Sequence, residues 1–185
     1  RLEFSLSAPA TIRQDARIAW QEARQSGDLY GLWLNPGNGT NRALTLVRLA
    51  AATLPASAFS VVNDGIERLT TVAFGVGEAA AFSVADDGVV SVVFSRSTHT
   101  DNLGPGLFLS RCQPSGLCAE ERIYTHPNNG TIRFAYAAHG VEQIVAIADA
   151  VRFDRFNVMT RRSDGAWQGQ EVVAFDNNND GGFTL

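Results

Sequence analysis

With 185 residues, 45% of them apolar, the chain has one domain's worth of length and enough apolar content for a packed core. It holds no run of the roughly 20 apolar residues needed to span a bilayer as a helix. The formal charge is −4 and all 15 basic residues are Arg, scattered rather than grouped, which leaves no electrostatic footprint for nucleic acid.

In chain order, Arg1-Leu2-Glu3 offers neither an initiator Met nor an apolar stretch of signal-peptide type, so the start reads as trimmed or truncated. Residues 11–25 place Ile12, Ala16, Ala19, Trp20 and Ala23 at helix-compatible spacings. A helix there makes the fold a β-sandwich with an appended helix. The competing reading takes 16–22, 29–34 and 43–49 as strands two to four of a four-stranded unit. Between 50 and 81, Phe59-Ser60-Val61-Val62-Asn63-Asp64-Gly65 echoes Phe82-Ser83-Val84-Ala85-Asp86-Asp87-Gly88, and the segment is either a divergent strand pair or an insertion.

From Phe82 onward the chain repeats itself. Phe82 to Gly88 is answered by Phe134-Ala135-Tyr136-Ala137-Ala138-His139-Gly140, and Val92-Val93-Phe94 by Ile144-Val145-Ala146. Phe108-Leu109-Ser110-Arg111, Gly116 and Glu121-Arg122-Ile123 are answered by Val158-Met159-Thr160-Arg161, Gly165 and Glu171-Val172-Val173. The second copy divides into four β-like runs, 131–137, 143–148, 156–161 and 171–175, with Ser163-Asp164-Gly165 as a hairpin signal. Four short strands in a repeat of about 50 residues is the pattern of a β-propeller blade, which stacks on its neighbours because it cannot bury both faces alone.

The expected fold is therefore all-β, a β-propeller of four-stranded antiparallel blades spanning 1–185 as one domain. The approximate blades are 4–58, 59–130 and 131–182, and 183–185 begin the next. That is roughly three and a half blades against the four to eight of closed rings. The chain is expected to be a partial propeller completed by further polypeptide or by another chain. A small ring closed by the Phe183 strand against the N-terminal segment is the alternative.

Cys112 and Cys118 flank the expected hairpin between the third and fourth strands of a blade, where the corresponding residues of the next repeat are Arg162 and Trp167. Facing each other across a turn, they are expected to form a disulfide, which places the chain in an oxidising compartment, secreted, extracellular or periplasmic. Two reduced core thiols are the alternative. Asp176, Asn178 and Asp180, with Gly181 behind them, match the first half of an EF-hand-type calcium loop, in which alternate oxygen side chains converge on one hard cation. Calcium is the one cofactor this pattern points to, and none is required. The bland reading of the same residues is a polar inter-blade loop.

Ser163, Asp164, Gly165 and Trp167 form a compressed version of the Asp-box hairpin, Ser-x-Asp-x-Gly-x-x-Trp, and at this point residues 80–185 resemble the sialidase-like and neuraminidase-repeat propellers. In that family the box is a folding device remote from the catalytic centre. The resemblance implies a propeller and does not by itself imply hydrolysis. A sialidase needs three convergent arginines, a Tyr nucleophile with a Glu beside it and an acidic Asp. Arg17, Arg96, Arg111, Arg133 and Arg161 and Tyr30, Tyr124 and Tyr136 supply the residue types, but the arginine strand motif near the N-terminus is missing. Arg111 and Arg161 fall at matching repeat positions, which favours a shared packing role.

Other constellations are weaker. His99, His126 and His139 fall in three different loops, and Glu120 and Glu121 are adjacent on a strand and point to opposite faces. Trp20, Tyr30, Trp33 and Trp167 are the candidate ligand-binding aromatics, able to stack on sugar rings if exposed and otherwise part of inter-blade packing. The functional expectation is a secreted recognition or scaffold module binding a glycan or protein partner. A glycoside hydrolase of sialidase-like type and a structural subunit that completes a propeller with another chain are the alternatives.

Overall fold

The computed structural model describes residues 10–13, 18–35, 43–51, 66–74, 76–96, 106–125, 132–139, 142–148 and 155–173. They form thirteen strands: β1 (Ala10–Arg13), β2 (Ile18–Glu22), β3 (Leu29–Asn35), β4 (Ala43–Leu49), β5 (Ile66–Phe74), β6 (Val76–Val84), β7 (Val90–Arg96), β8 (Gly106–Cys112), β9 (Cys118–Thr125), β10 (Arg133–His139), β11 (Glu142–Ala148), β12 (Arg155–Arg161) and β13 (Trp167–Val173). All pairings are antiparallel. The first sheet has the order β2-β3-β4-β5, the middle sheet β1-β6-β7-β8-β9 and the third β10-β11-β12-β13. Each is a four-strand meander, and β1 is added along the β6 edge of the middle one.

The middle sheet is buried on both faces. One face packs Phe82, Val92, Phe94 and Phe108 against Tyr30, Leu32, Leu44 and Leu46 of the first sheet. The other packs Ala81, Val93, Leu107 and Leu109 against Tyr136, Val145 and Ile147 of the third. A strand with two buried faces has no solvent side to alternate toward, which is why β7 is buried at every position and reads Val-Ser-Val-Val-Phe-Ser-Arg. The first strands of neighbouring sheets come together, β2 with β6 and β6 with β10.

Three hairpins share one backbone pattern. In each, the residue after the outgoing strand both donates to the carbonyl four residues on and accepts from a Gly three residues on, as in Ala85 N to Val89 O and Gly88 N to Ala85 O, both 2.9 Å. Gln113 with Gly116 and Arg162 with Gly165 repeat it. The Gly in each has positive φ, 81° at Gly88, 85° at Gly116 and 84° at Gly165. A type I turn followed by a left-handed Gly matches the twist of antiparallel strands and admits other residues only with strain. The residue before Gly supports the turn where it is Asp: Asp87 Oδ1 accepts from Val89 N at 3.1 Å and Asp164 Oδ1 from Ala166 N at 2.9 Å.

The structure corrects the expectations from sequence in four places. There is no helix over 11–25 among the described residues: β1 and β2 lie there, with Ala19 and Ala23 facing the core shared with the middle sheet and Trp20 on the opposite face, whereas a helix would hold Trp20 beside Ala19 and Ala23 on one stripe. Strands β2, β3 and β4 are the first to third of their sheet rather than the second to fourth, since β5 supplies the fourth. The hairpin glycines align Cys112 with Arg161 and Cys118 with Trp167, so Arg111 corresponds to Thr160, and Arg111 and Arg161 are not repeat equivalents. The fourth strand of the second copy also starts earlier than expected, at Trp167, because the tight Asp-Gly turn returns the chain directly into pairing.

Cys112 and Cys118 are register partners and form the expected disulfide, so none of the cysteines is free. Segment 59–65, the histidines His99 and His126, and the loop carrying Asp176, Asn178 and Asp180 lie outside the described residues.

Candidate functional site

The polar side chains that the fold brings together lie in the two seams between sheets. On the middle sheet, Glu120 and Glu121 point to opposite faces, as adjacent strand residues must, and each serves a different seam. Glu120 takes a two-pronged ion pair from Arg96, with Nη1 to Oε1 at 2.6 Å and Nη2 to Oε2 at 2.9 Å. The Arg96 guanidinium lies 4.8 Å from the centroid of Phe108 and 5.3 Å from that of Phe94, and the two rings stack with centroids 5.9 Å apart. Arg122 approaches Phe108 as well, at 5.5 Å. The aromatic faces offset part of the cost of burying a cation here.

In the other seam, Glu121 Oε1 receives Arg161 Nη2 at 3.1 Å and Trp167 Nε1 at 3.3 Å. Arg161 Nε also donates to Gly165 O at 3.3 Å, tying the hairpin to the ion pair. Where the middle sheet closes its hairpin with a disulfide, the third sheet uses the register pair Arg161 and Trp167 held by Glu121. The Asp-box-like residues thus act structurally, with Asp164 bracing the turn and Trp167 anchoring it to the neighbouring sheet.

Deeper in the same seam, the Ser83 and Tyr136 hydroxyls are 2.8 Å apart, and Gln143 Nε2 donates to Ser91 Oγ at 2.9 Å. Gln143 is buried, and among the described residues its Oε1 has no hydrogen-bond partner. Burial pushes the Tyr136 phenol up to about 12, with hydrogen bonds to Ser83 and Ser91 and the charges of Arg161 and Arg111 offsetting only part of that rise. Because the folded-state value lies above the ordinary 10, this stabilisation is whole below pH 10 and is lost as pH climbs through 12. Urea midpoints measured from pH 8 to 12 should fall most steeply above pH 10, and Tyr136→Phe should flatten that fall. An unchanged alkaline fall in the variant would show that Tyr136 is not its source.

The four candidate aromatics separate clearly. Tyr30 is 2% exposed inside the first core, and a Cβ on Gly88 would stand 3.1 Å from its hydroxyl. Trp167 is half-buried in the seam just described. Trp20 lies over Gly31, its register partner, where any Cβ would come within 2.8 Å of the indole and 2.9 Å of Val47. Only Trp33 is open, at 42%, beside its register partner Ile18 at 40%. Both sit on the face of the first sheet turned away from the middle sheet. The sequence does not single out the seams as a site, although Ser83, Ser91 and Gln143 interrupt otherwise apolar strands, and that is the signal that marks them.

Among the described residues no group of three or more His, Cys, Asp or Glu could hold a metal ion, and no helix is long and apolar enough to cross a membrane. No family model, curated protein or solved structure matches the chain.

Proposed function

We propose that the chain is a three-blade segment of a β-propeller acting as a secreted or periplasmic recognition or scaffold module, which works through its surfaces. The observation that carries this reading is the middle sheet, clad on each face by another meander. A sheet packed face to face on both sides, with first strands drawn together, is how blades sit around an axis. The disulfide supports an oxidising compartment. Of the three candidate tyrosines, Tyr30 and Tyr136 are buried and so are not the accessible nucleophile that the glycosidase alternative requires.

Hydrogen exchange tests the stack: amides of β7 and β8 should exchange far more slowly than those of β12 and β13. Equal rates would remove the basis for a blade stack. Turnover of a fluorogenic sialoside that disappears in Tyr136→Phe would overturn the reading in favour of the enzyme.

A further inference from the structure

The fold gives the two sulfurs of the Cys112–Cys118 bond different surroundings. Strand β8 runs between β7 and β9, whereas β9 is the last strand of its sheet. Cys112 is fully buried, and its register partners are Val90 on β7, also fully buried, and Cys118 on β9. Register partners share a face, so Val90, Cys112 and Cys118 stand in a row across the sheet, and all three pack in the first core. Cys118 is only half-buried there, and Leu117, Ala119 and Glu120 around it on the chain are exposed.

This row decides which sulfur a nucleophile can reach. A thiolate attacks one sulfur of a disulfide and expels the other, approaching in line with the bond, and access is part of what sets the rate. Behind Cys112 stands Val90, which closes that approach. Behind Cys118 lies the β9 edge, along which no strand pairs among the described residues, and that approach is open.

We propose that Cys118 is a thiol-exchange site. The incoming sulfur bonds to Cys118 Sγ, the Cys112–Cys118 bond breaks, and its electron pair leaves on Cys112. The chemistry is shared by a small thiol such as glutathione and by the dithiol of an oxidoreductase. Cys112 is then a thiolate in an apolar setting, with the fully buried Ser110 hydroxyl 3.9 Å from its sulfur and able to donate to it. Poorly solvated and held opposite Cys118 by strand pairing, it attacks Cys118 Sγ in return, releases the thiol and restores the bond. Opening becomes net reduction only when a second thiolate first attacks the outer sulfur of the mixed disulfide, leaves Cys118 as a thiolate and carries off the two external sulfurs as a disulfide. The bond tethers the turn 113–117, whose Pro114 lies against the Gly88 turn. A Cβ on Gly88 would stand 3.3 Å from Pro114 Cγ and 3.1 Å from the Tyr30 hydroxyl of the first sheet, so exchange at Cys118 reaches the seam between the first and middle sheets.

Two single variants read the site. Incubated with glutathione disulfide in the native state, Cys112→Ala should take up one glutathione, whereas Cys118→Ala should take up none until urea unfolds it. In the wild-type chain the bond should open at a rate proportional to the concentration of reduced glutathione. Mixed disulfide trapped by acid and alkylated in urea should carry glutathione on Cys118 and the alkyl group on Cys112, a readout that needs neither variant to fold. Repeating the trap with a thioredoxin that lacks its resolving cysteine separates the sources: capture of thioredoxin extends the site to protein dithiols, and capture of glutathione alone restricts it to small thiols. Glutathione mapped to Cys112, or equal uptake by the two variants in the native state, overturns the proposal. So does a wild-type bond that opens at a rate independent of thiol concentration, because that opening follows unfolding rather than attack at the β9 edge.

Discussion

Phe108→Ala should lower the unfolding free energy by about 3–5 kcal/mol, the range for deleting a fully buried aromatic, and shift a urea midpoint down by roughly 1–3 M at the m-values of small domains. Phe108 is 1% exposed. Its ring is shared by three partners, since Phe94 stacks on it and the guanidinium groups of Arg96 and Arg122 both approach it. Removing the ring opens a cavity and also takes away the π-face beside two cations. Arg122 feels this directly, because among the described residues its buried Nε and Nη2 have no hydrogen-bond partner, while Nη1 donates to Thr125 Oγ1 at 3.4 Å. Phe108→Leu should recover part of the cavity loss and none of the cation–π contribution. The gap between the two variants therefore measures how much the arginines depend on the ring. If Phe108→Ala shifts the midpoint by less than the cost of an ordinary surface change, about 0.5 kcal/mol, the seam between the first and middle sheets is not packed as described.

Reducing the Cys112–Cys118 bond should cost about 2–3 kcal/mol, from the closure entropy of a loop this short together with the loss of a buried cross-strand tie. The effect has a local control within the same molecule. The third sheet has an equivalent hairpin, with the same turn hydrogen bonds and the same left-handed Gly, and closes it with Arg161 and Trp167 on Glu121. Reduction should thus raise hydrogen exchange in β8 and β9 while leaving β12 and β13 unchanged. Cys112→Val with Cys118→Val should reproduce the loss without introducing a polar group at Cys112, which is fully buried. A midpoint insensitive to reduction would mean that the Gly116 turn and the packing of β8 already hold the hairpin closed.

How much of the fold is legible along the chain differs by feature, and the reason is physical in each case. The all-β class, the four-strand unit from Phe82 onward, the Asp-Gly hairpin and the disulfide are local matters. Strand runs, turn glycines and cysteine spacing act over a few residues, so they are written along the chain. The first sheet is harder to read because 11–25 satisfies a helical spacing as well as a strand alternation. What decides between them is that Gln21 Oε1 must accept from Val84 N, 2.7 Å away and 63 residues on. Such a partner is invisible to any local pattern.

The same limit explains the candidate residues. Trp20, Tyr30, Trp33 and Trp167 look alike in the sequence, yet one is in the core, one covers a glycine, one anchors a hairpin and one faces outward. Burial is set by which sheet stacks on which face. The equivalence of Arg111 and Arg161 follows from matching letters, whereas the hairpin glycines set the true register one residue away and put the two side chains on opposite faces. In a strand with a period of two, a one-residue shift exchanges core for surface. The sequence by itself determined that the chain is built from antiparallel strands, where its hairpins turn, and which cysteines pair. Only the tertiary structure decided which faces are seams and which are open, because that choice depends on residues about 50 positions apart meeting across stacked sheets, as Ser83 meets Tyr136.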